Sequence, residues 1–311
     1  MVDLFFSRIE DVIWEDPGER GFISFAQRGE LKQAAASLLT ANHVVIVTGF
    51  YIVKAGTGET DGPPGAIFLA KALSNLGIKV TLLTNEFNQA ILNRAIKELE
   101  LNCQLMVVKK GDECNVFPQL LEDVQLTHII AIEQMGSAID GKYYSMRGED
   151  LSYYTACFDS LFHLAGQKGI TTIGIGDGGN EIGMGKLFPV ISVSRELSWK
   201  SCVTSTDYLI IAGVSNWGAY GLIAGLCLYT RMPLLQSPEQ EEMLLQAIIG
   251  AGAVDGRTFE SDLSVDAIPV AEQKLILAKL HSIIERLEEV STCYGKGGRK
   301  NATSSIKSGN R

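Results

Sequence analysis

The feature that most constrains this chain is the stretch from Thr171 to Lys186, Thr-Thr-Ile-Gly-Ile-Gly-Asp-Gly-Gly-Asn-Glu-Ile-Gly-Met-Gly-Lys. Its β-branched residues Thr171, Thr172, Ile173 and Ile175 suit a buried strand, and the glycines that follow end the strand and expose backbone N–H groups. Asp177, Asn180 and Glu181 are then the first polar side chains beyond it. In open α/β sheets, ligands sit outside the carboxyl ends of the strands. Gly174, Gly176 and Gly179 also satisfy G-x-G-x-x-G, the turn that cradles a dinucleotide pyrophosphate. Charge argues against that use, because Asp177 would lie inside the turn and oppose a phosphate unless a metal intervened. A Walker A loop fits no better: Asn180 stands where its first glycine belongs, and Leu187 follows Lys186 where Ser or Thr should hold magnesium. The loop therefore suits acid/base or cation chemistry, against the plainer role of a tight turn whose Asp caps the next helix.

The same strand-to-polar-loop pattern recurs along the chain. Val44 to Val47 opens into Thr48-Gly49-Phe50 and then Gly56 to Gly65, a loop that holds Gly58, Glu59, Thr60 and Asp61 near Lys54 and precedes a helix over Ala66 to Leu76. Here the alternative is a solvated turn in which Thr60 or Asp61 caps that helix. His128 to Ile132 delivers Glu133, followed by a loop that runs through Asp140-Gly141, Tyr143-Tyr144 and Arg147. Asp207 to Ala212 leads into Ser215 and Asn216, with Ser215 expected to cap an apolar helix that spans Tyr220 to Tyr229. Further strands are expected at Lys79 to Leu83 and Cys103 to Val108, and helices at Phe87 to Leu99, Gln119 to Val124 and Leu151 to Gln167.

This alternation predicts an α/β fold, a mainly parallel, Rossmann-like sheet flanked by helices with Gly-rich loops at its carboxyl edge. Asp61, Glu133, Asp177, Glu181 and Ser215 should then line one cleft with Arg147 at its rim, and the cleft should be negative except near Arg147. The terminal segments carry no obvious chemistry. They comprise helices at Val2 to Val12, Glu30 to Leu39, Glu239 to Ile249 and Glu272 to Val290, with Asp255 and Asp266 in the last connection. Residues 1–294 read as one domain and 295–311, rich in Gly, Lys, Ser and Asn, as a disordered tail.

The net charge of -9 in 311 residues, with a pI near 5.1, leaves no basic footprint for nucleic acid or an anionic membrane. An anionic substrate would need local positive groups. The six cysteines form no C-x-x-C pair and share no metal-ligand spacing with the four histidines. Early acidic residues (Asp3, Glu10, Asp11) argue against a targeting peptide, and the apolar runs are too short to span a bilayer, so a cytoplasmic protein is expected. The expected partner is a small amino-acid substrate; a homo-oligomer is left open.

Four segments, Gly49 to Gly65, Glu133 to Arg147, Gly174 to Gly185 and Ala212 to Gly218, together resemble the C-terminal domain of the D-glutamate cyclase family. The resemblance extends from Ile9 to Val290. It implies a carbon-oxygen lyase that converts D-glutamate to 5-oxo-D-proline with loss of water. One departure stands out: after Glu133 the family pattern has Arg-Pro-Gly-Arg where this chain has Gln134-Met135-Gly136-Ser137. For that reaction, Asp177 and Glu181 are candidates for the acid/base pair, with Glu133 tuning them or holding the substrate ammonium. Arg147 and the N–H groups of the Gly-rich loops, at Gly58 and Gly178, are candidates to bind carboxylate; Thr60, Asp61, Tyr143, Asn180, Ser215 and Asn216 complete the substrate-binding set. No cofactor is certain. Asp177 and Glu181 could instead hold Mg²⁺ or Mn²⁺, which prefer oxygen ligands. The alternative function is a non-catalytic or divalent-metal-dependent protein that binds an amino acid or nucleotide.

Overall fold

β1 (His43–Thr48) is buried along its whole length, and its side chains divide between two cores because successive residues of a strand point to opposite faces. Val44 and Ile46 join one hydrophobic cluster, Val45 and Val47 the other. The same division holds in β6 (Leu126–Ile132), where Ile130 and Ile132 face the first cluster and Ile129 and Ala131 the second. Each fully buried aliphatic side chain of this kind contributes about 1.5–3 kcal/mol. A sheet with both faces covered in this way is what a parallel α/β arrangement requires.

The computed structural model describes residues 2–193 and 199–297. β1 and β6 belong to a six-stranded sheet with β4 (Lys79–Asn85), β5 (Gln104–Val108), β7 (Thr171–Gly176) and β8 (Tyr208–Ile211), in the order β5-β4-β1-β6-β7-β8, while the short β2 (Tyr51–Ile52) and β3 (Thr57–Gly58) pair separately and antiparallel. Every pairing in the six-stranded sheet is parallel. The order is that of a doubly wound Rossmann-like sheet, whose topological switch point falls between β1 and β6, the place where such folds bind ligands. The expected fold class is therefore the observed one.

Helices α3 (Pro63–Asn75) and α8 (Ser215–Thr230) pack on one face with α1 (Val2–Ile13), α2 (Glu30–Leu38) and α10 (Val270–Gly297); α5 (Glu113–Leu120) and α6 (Asp159–Gln167) cover the other. α4 (Gln89–Glu98), the short α7 (Phe188–Ile191) and α9 (Pro238–Gly250) complete the helices named here. α8 is buried from Ser215 to Leu228, so it shows no amphipathic stripe. Among the described residues, no helix is long and apolar enough to cross a membrane.

Three expectations from sequence change. The helix expected over 151–167 begins only at Asp159, because residues 151–157 are pinned by other partners: Leu151 N–H donates to Tyr143 O and Cys157 N–H to Glu113 Oε1. The helix expected at 119–124 lies earlier, at Glu113–Leu120, anchored by Phe117 against Phe158 and tolerating Pro118 inside it. Ser215 is not a cap but the first residue of α8, after an extended Val214. At the C-terminus α10 continues to Gly297, and the rest of the expected tail, 298–311, lies outside the described residues.

Candidate active site

Parallel strands bring the polar loops after β1, β6, β7 and β8 to one edge, where the N-termini of α3 and α8 lock together. Pro63 and Pro64 lack N–H groups, so the first free donors of α3 are Gly62 and Gly65, and both donate to Asn216 Oδ1 of α8 (3.1 and 2.8 Å). Asp61 does the converse. Its carboxylate accepts from the backbone N–H of Ser215 (3.0 Å) and Asn216 (2.9 Å), capping α8 from a distant loop. Thr60 and Gly58 extend this tie to the C-terminal part of the chain: Thr60 Oγ1 donates to Ser264 O, and Gly58 O accepts from Val254 N–H. These residues build the floor's support and do not line the cavity.

Glu133 follows β6 with a φ of +45°, a conformation that costs a non-glycine residue about 1–3 kcal/mol and that clusters at functional sites. Ser215 Oγ donates to its Oε2 at 2.6 Å. The Gly-rich loop after β7 curls around Glu181 instead of an anion. A Cβ at Gly176 or Gly178 would come within 3.0 Å of the Glu181 side chain, and the N–H groups of Asp177 (3.2 Å) and Gly178 (2.6 Å) both donate to Glu181 Oε1. Asn180 spends its side-chain NH₂ on Tyr144 O.

Two segments in which the sequence showed no chemistry complete the cluster. Asp16 accepts from the backbone N–H of Arg20 and Gly21, forming a turn that sends Arg20 inward. The Arg20 guanidinium pairs with Asp177 (2.5 Å) and with Asp266. Asp266 reaches it from a left-handed residue (φ +55°) in the connection before α10. The nearest sequence signal was a lone Arg just after an Asp-Pro-Gly turn, which no pattern ties to a site 157 residues away. Carboxylate oxygens of Asp61, Asp177 and Asp266 lie within 4.8 Å of one another, as do those of Glu133, Asp177 and Glu181.

A cavity of about 550 Å³ opens over this cluster. Its inner wall carries the buried Glu59, Glu133, Asn180 and Asp266 and the mostly buried Arg20; its mouth carries the exposed Lys54, Arg147, Glu149 and Arg257. Phe50, Tyr51, Ile52, Leu151 and Phe259 form apolar walls. Of the five residues expected to line one cleft, Glu133 does so; Asp61, Asp177, Glu181 and Ser215 converge on it but sit one layer behind, each with at least one side-chain oxygen engaged by backbone N–H groups, Arg20 or Glu133. Arg147 does lie at the rim. It is not the cluster's cation, which is Arg20, so the interior is not uniformly negative. Tyr143 leaves the site altogether: its hydroxyl donates to Asp159 (2.8 Å) within an apolar cluster, and burial pushes its ionisation far up.

Crowded burial sets the protonation. Burial pushes the Glu133 carboxyl well above the usual range, and the charges of Glu181 and Asp61 push it further. Burial also raises Asp177, against the pull of Arg20. Glu59 rises through burial and the nearby Asp266, and Asp61 is pushed up to about 7 by burial, with Asp266 adding to it. The oxygen-only donor set also suits a divalent cation: Asp177 Oδ2 and Glu181 Oε2 are buried and have no hydrogen-bond partner.

The sequence matches the family described as D-glutamate cyclase-like, C-terminal, over residues 9–281. It is 35% identical over 234 residues to the human protein named D-glutamate cyclase, mitochondrial, an alignment that covers 70% of this chain and 38% of that relative. The chain thus spans well under half the length of the curated relative it matches. All four polar loops of the carboxyl edge, from Gly49 to Gly218, fall inside the family match, and so does Asp266. A doubly wound sheet that gathers these loops around buried carboxylates, within a match covering most of the sequence, places the chain in the D-glutamate cyclase-like family.

Proposed function

We propose that this protein is a lyase that cyclises D-glutamate to 5-oxo-D-proline with release of water. The observation that carries this reading is the inner wall of the cavity, where a carboxyl kept protonated by burial, Glu133, faces the same space as a carboxylate ion-paired with arginine, Asp266. Lactam formation needs just these two states. The α-ammonium loses two protons as its nitrogen bonds to the carbon of the γ-carboxyl group, and the departing oxygen of that group gains two protons to leave as water. Asp266 takes the first proton from the ammonium and Glu133 gives one to the oxygen; for the second proton the two exchange roles, which returns each to its starting state. Each transfer is worth roughly 10²- to 10⁴-fold, and holding the two ends of one substrate together lowers the barrier by several kcal/mol more.

Asp177 and Glu181 act behind this pair. Asp177 holds Arg20, and Glu181 keeps Glu133 protonated by its nearby charge. Arg147 binds a substrate carboxylate at the rim. Incubation of the purified protein with D- and L-glutamate, followed by chiral detection of 5-oxoproline, tests the reading. Turnover of the D form that is lost in Glu133→Gln and Asp266→Asn supports it; binding without turnover leaves a non-catalytic amino-acid or nucleotide-binding module.

The unpartnered Asp177 Oδ2 and Glu181 Oε2 favour a second reading, in which Asp177, Glu181 and Glu133 hold Mg²⁺ or Mn²⁺. When bound, the cation would polarise the γ-carboxyl group as a Lewis acid. Activity lost to a chelator and restored by either metal distinguishes this form from the metal-free one.

A further inference from the structure

The mouth of the cavity carries a charge arrangement that the buried cluster does not explain. Lys54 Nζ lies 4.4 Å from the centroid of the Phe259 ring, and Arg147 Cζ lies 4.5 Å from the same centroid. The two cations are therefore held within about one Debye length (~10 Å) of each other, where their repulsion is only partly screened. Arg257, on the same loop as Phe259, also lines the mouth, and its carbonyl accepts from Arg147 Nη2 (3.1 Å). In a chain of net charge -9, none of these three cations forms an ion pair with a carboxylate of the described residues, and the single carboxylate at the mouth, Glu149, pairs with none of them.

The loop that presents them is built for the purpose. Asp255 is fully buried, and its carboxylate accepts from Arg257 N–H (2.8 Å), Thr258 N–H (3.0 Å), Ser264 Oγ (2.6 Å) and Ala267 N–H (2.7 Å). Asp255 O also accepts from Phe259 N–H, which fixes Phe259 in a left-handed conformation (φ +68°). An aromatic residue seldom adopts that conformation without tertiary constraint. Here it turns the ring toward Lys54 and Arg147.

We propose that Lys54, Arg147 and Arg257, arranged around Phe259, form the subsite for the substrate's α-carboxylate, so that the amino dicarboxylate binds with its reacting ends inward and its non-reacting carboxylate at the mouth. This rests on the cyclase reading, since it fixes which groups react. The α-ammonium and γ-carboxyl must both reach Asp266 and Glu133. A third substrate group, the α-carboxylate, takes no part in the chemistry and would be repelled by the Asp266 carboxylate if it entered. Arg20 cannot receive it, because its guanidinium already pairs with Asp177 and Asp266. Among the described residues that line the cavity, the cations without a carboxylate partner lie at the mouth, which is where the anion goes.

Lys54→Met and Arg147→Met keep the apolar stems against Phe259 and remove the charge. Each should raise KM for D-glutamate about tenfold, the double variant more, with kcat held within about twofold, and Lys54→Arg should restore KM. A loss of kcat at unchanged KM, or no change at all, overturns the subsite while leaving turnover by the unaltered protein, and hence the cyclase reading, intact. Titration calorimetry with glutarate, a dicarboxylate without an ammonium, separates the two in the other direction. Glutarate binding that weakens about tenfold in Lys54→Met supports the subsite even in a protein that does not turn over D-glutamate; absence of binding, or binding indifferent to both substitutions, refutes it.

Discussion

The two ends of the same strands treat carboxylates in opposite ways. At the amino edge of the sheet Asp123 accepts from Lys79 Nζ (2.9 Å) and Gln125 N–H (2.9 Å) and meets His43 Nδ1 (2.9 Å). The Lys79 hydrogen bond, then that of Gln125, pull it down to about 2. At the carboxyl edge Asp61 also accepts several N–H bonds, yet burial and the neighbouring Asp266 push it up to about 7. Hydrogen bonds are present at both ends. Solvent is what differs: Asp123 is partly exposed and faces one cation per anion, while the inner cluster, among the described residues, gathers Glu59, Asp61, Glu133, Asp177, Glu181 and Asp266 around Arg20 alone. A polar end that is fully matched stabilises the fold, and one left mismatched retains protons for chemistry.

The largest test of that contrast is at Glu133. Glu133→Gln should lower kcat for D-glutamate by about 10²- to 10⁴-fold, while the melting temperature holds or rises because a crowded buried acid is gone. Asp123→Asn should leave kcat unchanged. Equal kcat losses in the two variants, measured by 5-oxoproline formation, would erase the distinction between the edges.

Next comes Arg20, the inner cluster's cation. Arg20→Met strands Asp177 and Asp266 as buried charges and should cost about 3–5 kcal/mol in denaturant unfolding. Adding Asp266→Asn to it should recover part of the loss, since the two sites share one ion pair and their effects cannot add.

Glu241 offers the same comparison away from the site. It is fully buried in α9, with the Tyr220 hydroxyl 2.8 and 2.7 Å from its two oxygens, and burial raises it from 4.5 to about 7. Its raised value favours the folded state fully below about pH 4.5, and that contribution is lost as pH rises to about 7. At about 1.4 kcal/mol per tenfold change in proton affinity the loss is about 3 kcal/mol. Glu241→Gln should flatten stability against pH across that window, as thermal unfolding at a series of pH values would read.

The smallest effect belongs to Asp123. Its lowered value has the opposite sign, giving stability that is present above pH 3.8 and lost as pH falls through about 2. Because the pair with Lys79 is exposed on the lysine side, Asp123→Ala should cost under about 1 kcal/mol at pH 7, less at high salt, and progressively less as pH falls below about 2.

Periodicity and composition along the chain determined the sheet. β-Branched runs followed by Gly-rich polar loops could fold only as parallel strands with their loops at one edge, and Asp61, Glu133, Asp177 and Glu181 were legible there because each stands just after a strand or its turn. Local pattern fails where a residue's partner is remote. Arg20 sits in a turn and Asp266 and Phe259 in a connecting loop, and nothing within a few positions of any of them shows that the chain ends fold back over the sheet edge. Only the tertiary structure decided which carboxylates face the cavity, that Asp61 caps a helix 154 residues away, and that Tyr143 turns into the core. The physical reason is that strand and helix formation depend on neighbours in sequence, while burial, charge pairing and proton affinity depend on neighbours in space.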